Sequence, residues 1–160
     1  ITGMHHSFTA VETQLLADIA TTGGSFIFPV AAMSNVAQGA AALSVLLILK
    51  KDNKMKGIAS ASGISALLGI TEPAIFGVNL KLRYPFYGAM IGSAVSSAYI
   101  MLTKVLALAP GAAGLPGIIS IRPDSMINYI IGMAISMGVA VVSTIILAKT
   151  TAKKENLEVA

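Results

Sequence analysis

The sequence contains no cysteine. This absence excludes disulfides, thiolate metal sites and any cysteine nucleophile or phosphocysteine carried on this chain. Charged residues are also scarce, because they make up 11% of the 160 residues, whereas about 25% is usual in a soluble domain. Hydrophobic residues reach 55%. The composition therefore predicts an integral membrane protein that contacts the lipid bilayer.

The basic residues lie in short clusters separated by apolar runs. The clusters are Lys50, Lys51, Lys54 and Lys56, then Lys81 and Arg83, then Lys149, Lys153 and Lys154. Such clusters lack the basic stripe of a nucleic-acid surface, so the net charge of +4 does not indicate a nucleic-acid partner. Under the positive-inside rule, all three clusters are predicted to face the cytoplasm.

Three apolar runs are long enough to cross a bilayer as helices, at 1.5 Å per residue against a hydrocarbon core about 30 Å thick. They are residues 25–49, 86–109 and 126–147. The remaining segments are predicted to be a polar or amphipathic segment at 1–24 with a short helix over 11–20, an irregular loop or short second re-entrant piece at 110–123, and a cytoplasmic tail at 150–160. The fold class is therefore all-α and membrane-embedded.

A fourth apolar block, residues 57–80, lies between the first two basic clusters. If both clusters are cytoplasmic, this block enters the membrane and returns on the same side, which predicts a re-entrant hairpin; a fourth crossing is the alternative. The block contains Glu72, followed by Pro73 and flanked by Gly69 and Gly77, a pattern typical of a broken helix.

An ionised acid at membrane depth costs roughly 2.5 to 3.5 kcal/mol, so Glu72 is a candidate functional residue. Broken helices at that depth line polar cavities or are buried in protein, which predicts that the carboxylate looks into a cavity. The alternative is a short turn outside the membrane in which Glu72 is a solvated helix cap.

Other polar groups accompany Glu72. Asn35 and Gln38, three residues apart in the first span, share a helix face and fit either ligand contact or hydrogen bonding between helices. His5 and His6 are the only histidines, and an adjacent pair lacks the spacing of a metal site, so we expect no metal and no cofactor. The pair also fits a structural hydrogen-bonding element.

No catalytic motif is convincing. One carboxylate with imidazoles and amides suits a polyhydroxylated ligand, because a carboxylate accepts from two vicinal hydroxyls while imidazole and amide groups both donate and accept. The inventory therefore predicts a sugar-binding and translocating site without catalytic residues.

The run Gly69-Ile70-Thr71-Glu72-Pro73 together with Gly3-Met4-His5-His6 resembles the C-terminal half of the membrane-embedded EIIC component of the bacterial sugar phosphotransferase system, glucose superfamily. The surrounding residues are most similar to sucrose-specific permeases. Trehalose-specific relatives share the run that continues to Asn79, so they are the nearest alternative. The resemblance covers nearly all of residues 1–149.

The resemblance implies a multi-pass domain of the bacterial cell membrane that binds and imports a disaccharide, sucrose, which an EIIB domain supplied by EIIA then phosphorylates. The whole assembly is a protein-Npi-phosphohistidine–sugar phosphotransferase, with no phosphoryl-carrying residue expected here. By this resemblance, Glu72 and one of His5 and His6 contact the sugar, and Thr71 and Asn79 belong to the same site.

The resemblance further implies a homodimer formed through the first half of EIIC, which this chain lacks. Because the chain begins at Ile1 without a signal peptide, we expect it to be part of a longer protein. Two other functions remain open, a proton-coupled sugar transporter in which Glu72 titrates and a structural membrane subunit in which Glu72 holds a helix break. Neither accounts for the histidine pair as well.

Overall fold

The computed structural model describes the backbone of residues 5–49 and 52–158 and the side chains of residues 7–49 and 52–151. The helices are α1 (His5–Ala17), α2 (Ile19–Thr22), α3 (Ile27–Ile48), α4 (Asn53–Leu67), α5 (Glu72–Ala74), α6 (Leu80–Leu82), α7 (Tyr84–Leu102) and α8 (Met126–Glu158). A π-helical turn (Ile75–Asn79) joins α5 to α6, and 3₁₀ turns span Leu115–Ser120 and Pro123–Ser125. Over the described residues the fold is helical, which confirms the predicted fold class.

Three of the helical segments are long and apolar enough to cross a membrane: Ile27–Ile48, Tyr84–Leu102 and Pro123–Thr151. The 22 residues of α3 give a length of about 33 Å at 1.5 Å per residue, close to the thickness of a hydrocarbon core. By length and composition, these segments match the three predicted spans.

Helix α3 lies at the centre of the bundle and packs against α4, α7 and α8. Its contact surface toward α7 and α8 is built from small residues, because Ala37, Ala40 and Ala41 pack with Ala89 of α7 and Ala140 of α8. Small side chains let the helix backbones approach closely, so van der Waals packing can hold helices together where lipid offers no hydrophobic driving force.

The interface between α7 and α8 is also made by small residues. A Cβ atom on Gly88 would lie 2.9 Å from the backbone nitrogen of Thr144, and one on Gly92 would lie 2.7 Å from Cβ of Ala140. Ser96 is fully buried. The small-residue stripe of α7 therefore packs against another helix, as its four-residue spacing predicts.

The second predicted span, 86–109, differs from the structure at its end. Helix α7 ends at Leu102, and the chain then turns at Lys104, whose φ is 51°. Beyond the turn, Ala107 exchanges backbone hydrogen bonds of 2.8 and 2.9 Å with Ser25. Val105 and Ala107 are buried in the core outside any helix, so the prediction that the helix extends to residue 109 is wrong.

Two other boundaries differ from the prediction. The predicted helix over 11–20 begins earlier, at His5, and is interrupted at Asp18, after which α2 ends where Gly23 adopts a φ of 73°. Helix α8 continues to Glu158, beyond the predicted span. No glycine or proline follows Gly138, so nothing in the tail breaks the helix.

Helix α4 runs antiparallel to α3. Asp52 caps its N-terminus, accepting a hydrogen bond of 2.9 Å from the backbone N–H of Met55. Met55 packs beside Val45 near the C-terminal end of α3, whereas a Cβ on Gly39, farther toward the N-terminus of α3, would lie 2.9 Å from the carbonyl oxygen of Gly63. The end of α4 therefore lies near the middle of α3.

After α4 the chain reverses direction and runs back along α4 toward the start of that helix. A Cβ on Gly77 would lie 3.4 Å from Cγ2 of Ile58, near the start of α4. Leu82 packs against the cluster that contains Val45 and Met55. Residues 53–82 therefore form a helical hairpin, with α4 as one limb and α5, the π turn and α6 as the other. Helix α4 begins beside the end of α3 that leads into the first basic cluster, and the return limb runs back toward that end.

Candidate functional site

The tip of the hairpin is closed by two hydrogen bonds between the same pair of residues. The backbone N–H of Ile70 donates to the carbonyl oxygen of Ser65 at 3.0 Å, and Oγ of Ser65 donates to the carbonyl oxygen of Ile70 at 3.1 Å. Gly69 turns the chain with a φ of 107°, which side-chain-bearing residues rarely adopt. These contacts fix the backbone immediately before Thr71 and Glu72.

Glu72 begins the return limb as the first residue of α5, with Pro73 in the first turn, where its missing N–H leaves no helical bond unmade. The side chain of Glu72 is exposed, and that of Thr71 is half-buried. Among the described residues, none forms a hydrogen bond or an ion pair with the Glu72 carboxylate. Both of its oxygens are thus open to accept hydrogen bonds from a ligand.

Large apolar side chains before and after Glu72 are exposed. Leu68 and Ile70 are 53% and 60% exposed at the tip, and Phe76 is 59% exposed on the return limb. The carboxylate is therefore carried by a segment whose outer surface is apolar. An exposed surface of this kind is typical of a region that contacts lipid or another part of a protein.

Asn79 and Gln38 are brought together, although they lie on different helical segments. Nδ2 of Asn79 donates to Oε1 of Gln38 at 2.6 Å and to its carbonyl oxygen at 3.1 Å. Asn79 is fully buried and its Oδ1 has no partner among the described residues, while Gln38 is 8% exposed. The exposed Glu72 and the buried Asn79 thus face different surroundings, and a sugar contact for Asn79 and Gln38 stays a prediction.

Asn35 contacts the segment after α7 instead of the hairpin. Its Nδ2 donates to the carbonyl oxygen of Ala113 at 2.6 Å, and its side chain is half-buried. Asn35 and Gln38, which the sequence pattern places on one face of α3, therefore contact two different segments of the chain. A sugar contact for Asn35 also stays a prediction.

The histidines open α1, but the side chains of His5 and His6 lie outside the described residues. Helix α1 is joined to the start of α3 by a hydrogen bond of 3.4 Å from Oγ of Ser25 to Oε1 of Glu12. A cavity of about 350 Å³ beside α1 is lined by Thr9, Glu12, Thr13, Leu16, Ala17 and Pro110.

Sequence reasoning missed Tyr129, whose hydroxyl donates to the carbonyl oxygen of Gly114 at 3.0 Å while the whole residue is buried. It also missed the position of the loop at residues 110–117. In the structure this loop lies against the hairpin tip, since a Cβ on Gly69 would be 3.3 Å from the backbone nitrogen of Ala113. The only signal in the sequence was the density of glycine and proline in the loop.

Comparison with known protein families decides the family. The family model described as "Phosphotransferase system, EIIC" matches residues 1–93, more than half of the chain. The chain belongs to the EIIC family of the phosphotransferase system. With its three apolar helices, this EIIC chain is a protein of the bacterial cell membrane.

Curated relatives of this EIIC chain carry sugar-specific names. It is 68% identical over 147 residues to a sucrose-specific EIIBC component of Vibrio alginolyticus, covering 92% of this chain and 30% of the relative. It is 64% identical over 149 residues to a sucrose-specific EIIBC component of Pasteurella multocida, covering 93% and 31%. A trehalose-specific EIIBC component of Bacillus subtilis is 53% identical over 135 residues, covering 84% and 28%.

The EIIC chain thus spans less than a third of the length of these relatives. No solved structure matches it.

Proposed function

We propose that this EIIC chain is the sugar-binding part of a phosphotransferase-system permease that imports sucrose. The observation that carries the proposal is the exposed carboxylate of Glu72, with which no described residue pairs, at the tip of a hairpin that packs on a bundle of apolar helices. An acid in such a protein is retained for function, because apolar surroundings make it costly. The sucrose-specific names of relatives 64% and 68% identical support the choice of sugar.

In this proposal Glu72 accepts hydrogen bonds from two neighbouring sugar hydroxyls, and the half-buried Thr71 lies beside it. A carboxylate that accepts these two hydrogen bonds orients the sugar hydroxyl that receives the phosphoryl group. The phosphoryl group is delivered by an EIIB domain, itself supplied by EIIA, since the chain has no cysteine to carry it. One of His5 and His6 completes the site from the start of α1.

We also propose that the hairpin at residues 53–82 is re-entrant and opens to the cytoplasm. Its support is that Leu82 packs against the hydrophobic cluster that contains Met55, a residue within the first basic cluster. Both ends of the hairpin then carry basic residues, and positive charge favours the cytoplasmic side. Such a hairpin places Glu72 at its tip, at membrane depth, on a segment whose two ends lie on the side of the phosphoryl donor.

The resemblance to the family also supports a second copy of the permease as a partner. We propose that the full-length permease is a homodimer formed through the half of EIIC that precedes this chain. Mass measurement of the detergent-solubilised full-length permease, with the detergent contribution subtracted, tests this: a monomeric mass contradicts it.

The experiment that tests the function uses the full-length permease in vesicles, supplied with its phosphotransfer partners. We expect phosphorylated sucrose to accumulate only when the phosphoryl donor is present. Trehalose is the second candidate, favoured by the relative at 53% identity. Faster phosphorylation of trehalose with sucrose inert contradicts the sucrose assignment, and uptake without phosphorylation contradicts the phosphotransferase assignment.

A further inference from the structure

Two side chains from different spanning helices hold consecutive carbonyl groups of the loop at residues 110–117. Nδ2 of Asn35 on α3 donates to Ala113 at 2.6 Å, and the hydroxyl of Tyr129 on α8 donates to Gly114 at 3.0 Å. Tyr129 is fully buried, so its hydroxyl has no water to bond with instead. The two donors therefore fix the loop relative to both helices.

The other side of this loop lies against the hairpin tip. A Cβ on Gly114 would be 2.9 Å from the backbone nitrogen of Gly69 and 3.1 Å from the carbonyl carbon of Leu67. A Cβ on Gly69 would in turn lie 3.3 Å from the nitrogen of Ala113. The absence of a side chain at both glycines is what allows the two backbones to touch.

We propose that Asn35 and Tyr129 are positioning residues for the sugar site, and that they act by clamping the loop at 110–117 onto the hairpin tip that carries Glu72. The path of contacts is continuous. The two side chains hold Ala113 and Gly114, these pack on Leu67 and Gly69, and the tip passes directly to Thr71 and Glu72. This inference rests on the proposed function only in that Glu72 binds the sugar.

The proposal gives Asn35 a role different from direct sugar contact. One N–H of its side-chain amide already donates to the carbonyl oxygen of Ala113, which turns the amide toward the loop. Loss of this bond frees the loop and leaves the carbonyl oxygen of Ala113 without its donor. The tip then loses the surface against which Gly69 is packed, and Glu72 is held less firmly.

The test measures tip position and sugar binding separately in the full-length permease. Tip position is read from cross-linking between Ile70→Cys and Ala112→Cys, both exposed in the structure, with a flexible bismaleimide after cysteines outside this chain have been replaced. Sucrose binding is measured in detergent on single variants without these cysteines. Asn35→Ala is paired with the control Ser34→Ala, and Tyr129→Phe with the control Tyr99→Phe.

We expect Asn35→Ala and Tyr129→Phe each to lower the rate of cross-linking and to weaken sucrose binding about threefold to tenfold, the worth of one hydrogen bond. Both control variants are expected to retain wild-type values. Tyr129→Phe removes the hydroxyl but keeps the packed ring. It therefore tests the effect of one lost hydrogen bond to the loop even where Asn35→Ala fails to fold.

Weakened sugar binding with unchanged cross-linking overturns the proposal, because Asn35 or Tyr129 then acts on the sugar directly. Slower cross-linking with unchanged sugar binding overturns it as well, since the clamp then has no effect on the site. If the wild-type permease binds no sucrose, the proposed function fails by itself. The cross-linking comparison still decides whether the two side chains hold the loop on the tip.

Discussion

Asn79 and Gln38 lie 41 positions apart and are joined by a hydrogen bond of 2.6 Å between Nδ2 of Asn79 and Oε1 of Gln38. A second bond of 3.1 Å runs from the same nitrogen to the carbonyl oxygen of Gln38. Because Asn79 is fully buried in the π-helical turn, these bonds attach the return limb of the hairpin to α3. The pair therefore determines how the segment after Glu72 is anchored.

We expect Asn79→Ala to lower the free energy of unfolding by about 1 to 3 kcal/mol, since it leaves the amide of Gln38 without its partner inside the bundle. Denaturation of the purified full-length permease in detergent measures the change. Asn128→Ala is the matched control, because Asn128 is half-buried and accepts only a long bond of 3.4 Å from Tyr99. Unchanged stability with strongly weakened sugar binding contradicts a structural role and favours direct sugar contact.

The double variant of Asn79 and Gln38 refines this prediction. For two alanine substitutions in direct contact, a coupling free energy of about 0.5 to 3 kcal/mol is expected. Additive effects of the two single variants would mean that the hydrogen bonds between them contribute nothing to stability.

Packing between α7 and α8 gives a second prediction. Gly92→Ala places a Cβ 2.9 Å from both the nitrogen of Ala140 and the carbonyl oxygen of Ser136, which are backbone atoms that cannot move aside without shifting α8. We expect a loss of about 1 to 3 kcal/mol in the free energy of unfolding. Gly138→Ala on α8 is the control, since nothing lies within 4 Å of its added Cβ. Equal stability of the two variants would contradict the close approach of the helices at Gly92.

The spanning helices could be predicted from the sequence because their signal is local. The long, mostly apolar runs over 25–49 and 126–147 contain no charged residue, which identifies them as spans without reference to the rest of the chain. The end of α7 could not be predicted, since apolar residues resume at Val105 and nothing in the sequence indicates the positive φ of Lys104. That turn is stabilised by pairing of the following segment with Ser25, which is a tertiary contact.

The candidate site could be predicted only where its signal was also local. Glycine and proline around Glu72 indicated the broken helix and the tip. No local sequence pattern predicts the hydrogen-bond partners of the polar side chains. Asn35 bonds to a residue 78 positions away, and the amide of Gln38 faces the π turn instead of the tip. Which way each polar side chain faces depends on how the hairpin packs, and the pattern of one helix cannot supply it.

The membrane orientation of the hairpin gives a third prediction. The chain has no cysteine, so single cysteines at Asn53, Lys81 and Leu115, all exposed, can be labelled without background from this segment. We expect Asn53→Cys and Lys81→Cys to react only from the cytoplasm, because both ends of the hairpin carry basic residues. Leu115→Cys is expected to react from outside or weakly. Labelling of Lys81→Cys from outside would contradict a re-entrant hairpin and indicate a fourth crossing.

Glu72 itself separates sugar binding from proton coupling. Glu72→Gln keeps one acceptor oxygen but replaces the other with a donor, and loss of one hydrogen bond to a charged group costs about 1.5 to 3 kcal/mol, so sucrose affinity is expected to fall about tenfold to a hundredfold. Glu72→Ala is expected to bind more weakly still. Binding to the full-length permease in detergent measures both variants, with Asp124→Asn, an exposed acid paired with Arg122, as the control.

A proton-coupled transporter would behave differently. In such a protein Glu72→Gln mimics the protonated acid, so sugar binding and exchange persist while accumulation driven by a proton gradient is lost. Exchange in vesicles without a gradient therefore distinguishes the two mechanisms. Because a hydrogen bond to sugar is needed with or without a gradient, we expect the exchange defect of Glu72→Gln to be independent of the gradient, and near-normal binding and exchange would overturn the assignment of Glu72 as the sugar's acceptor.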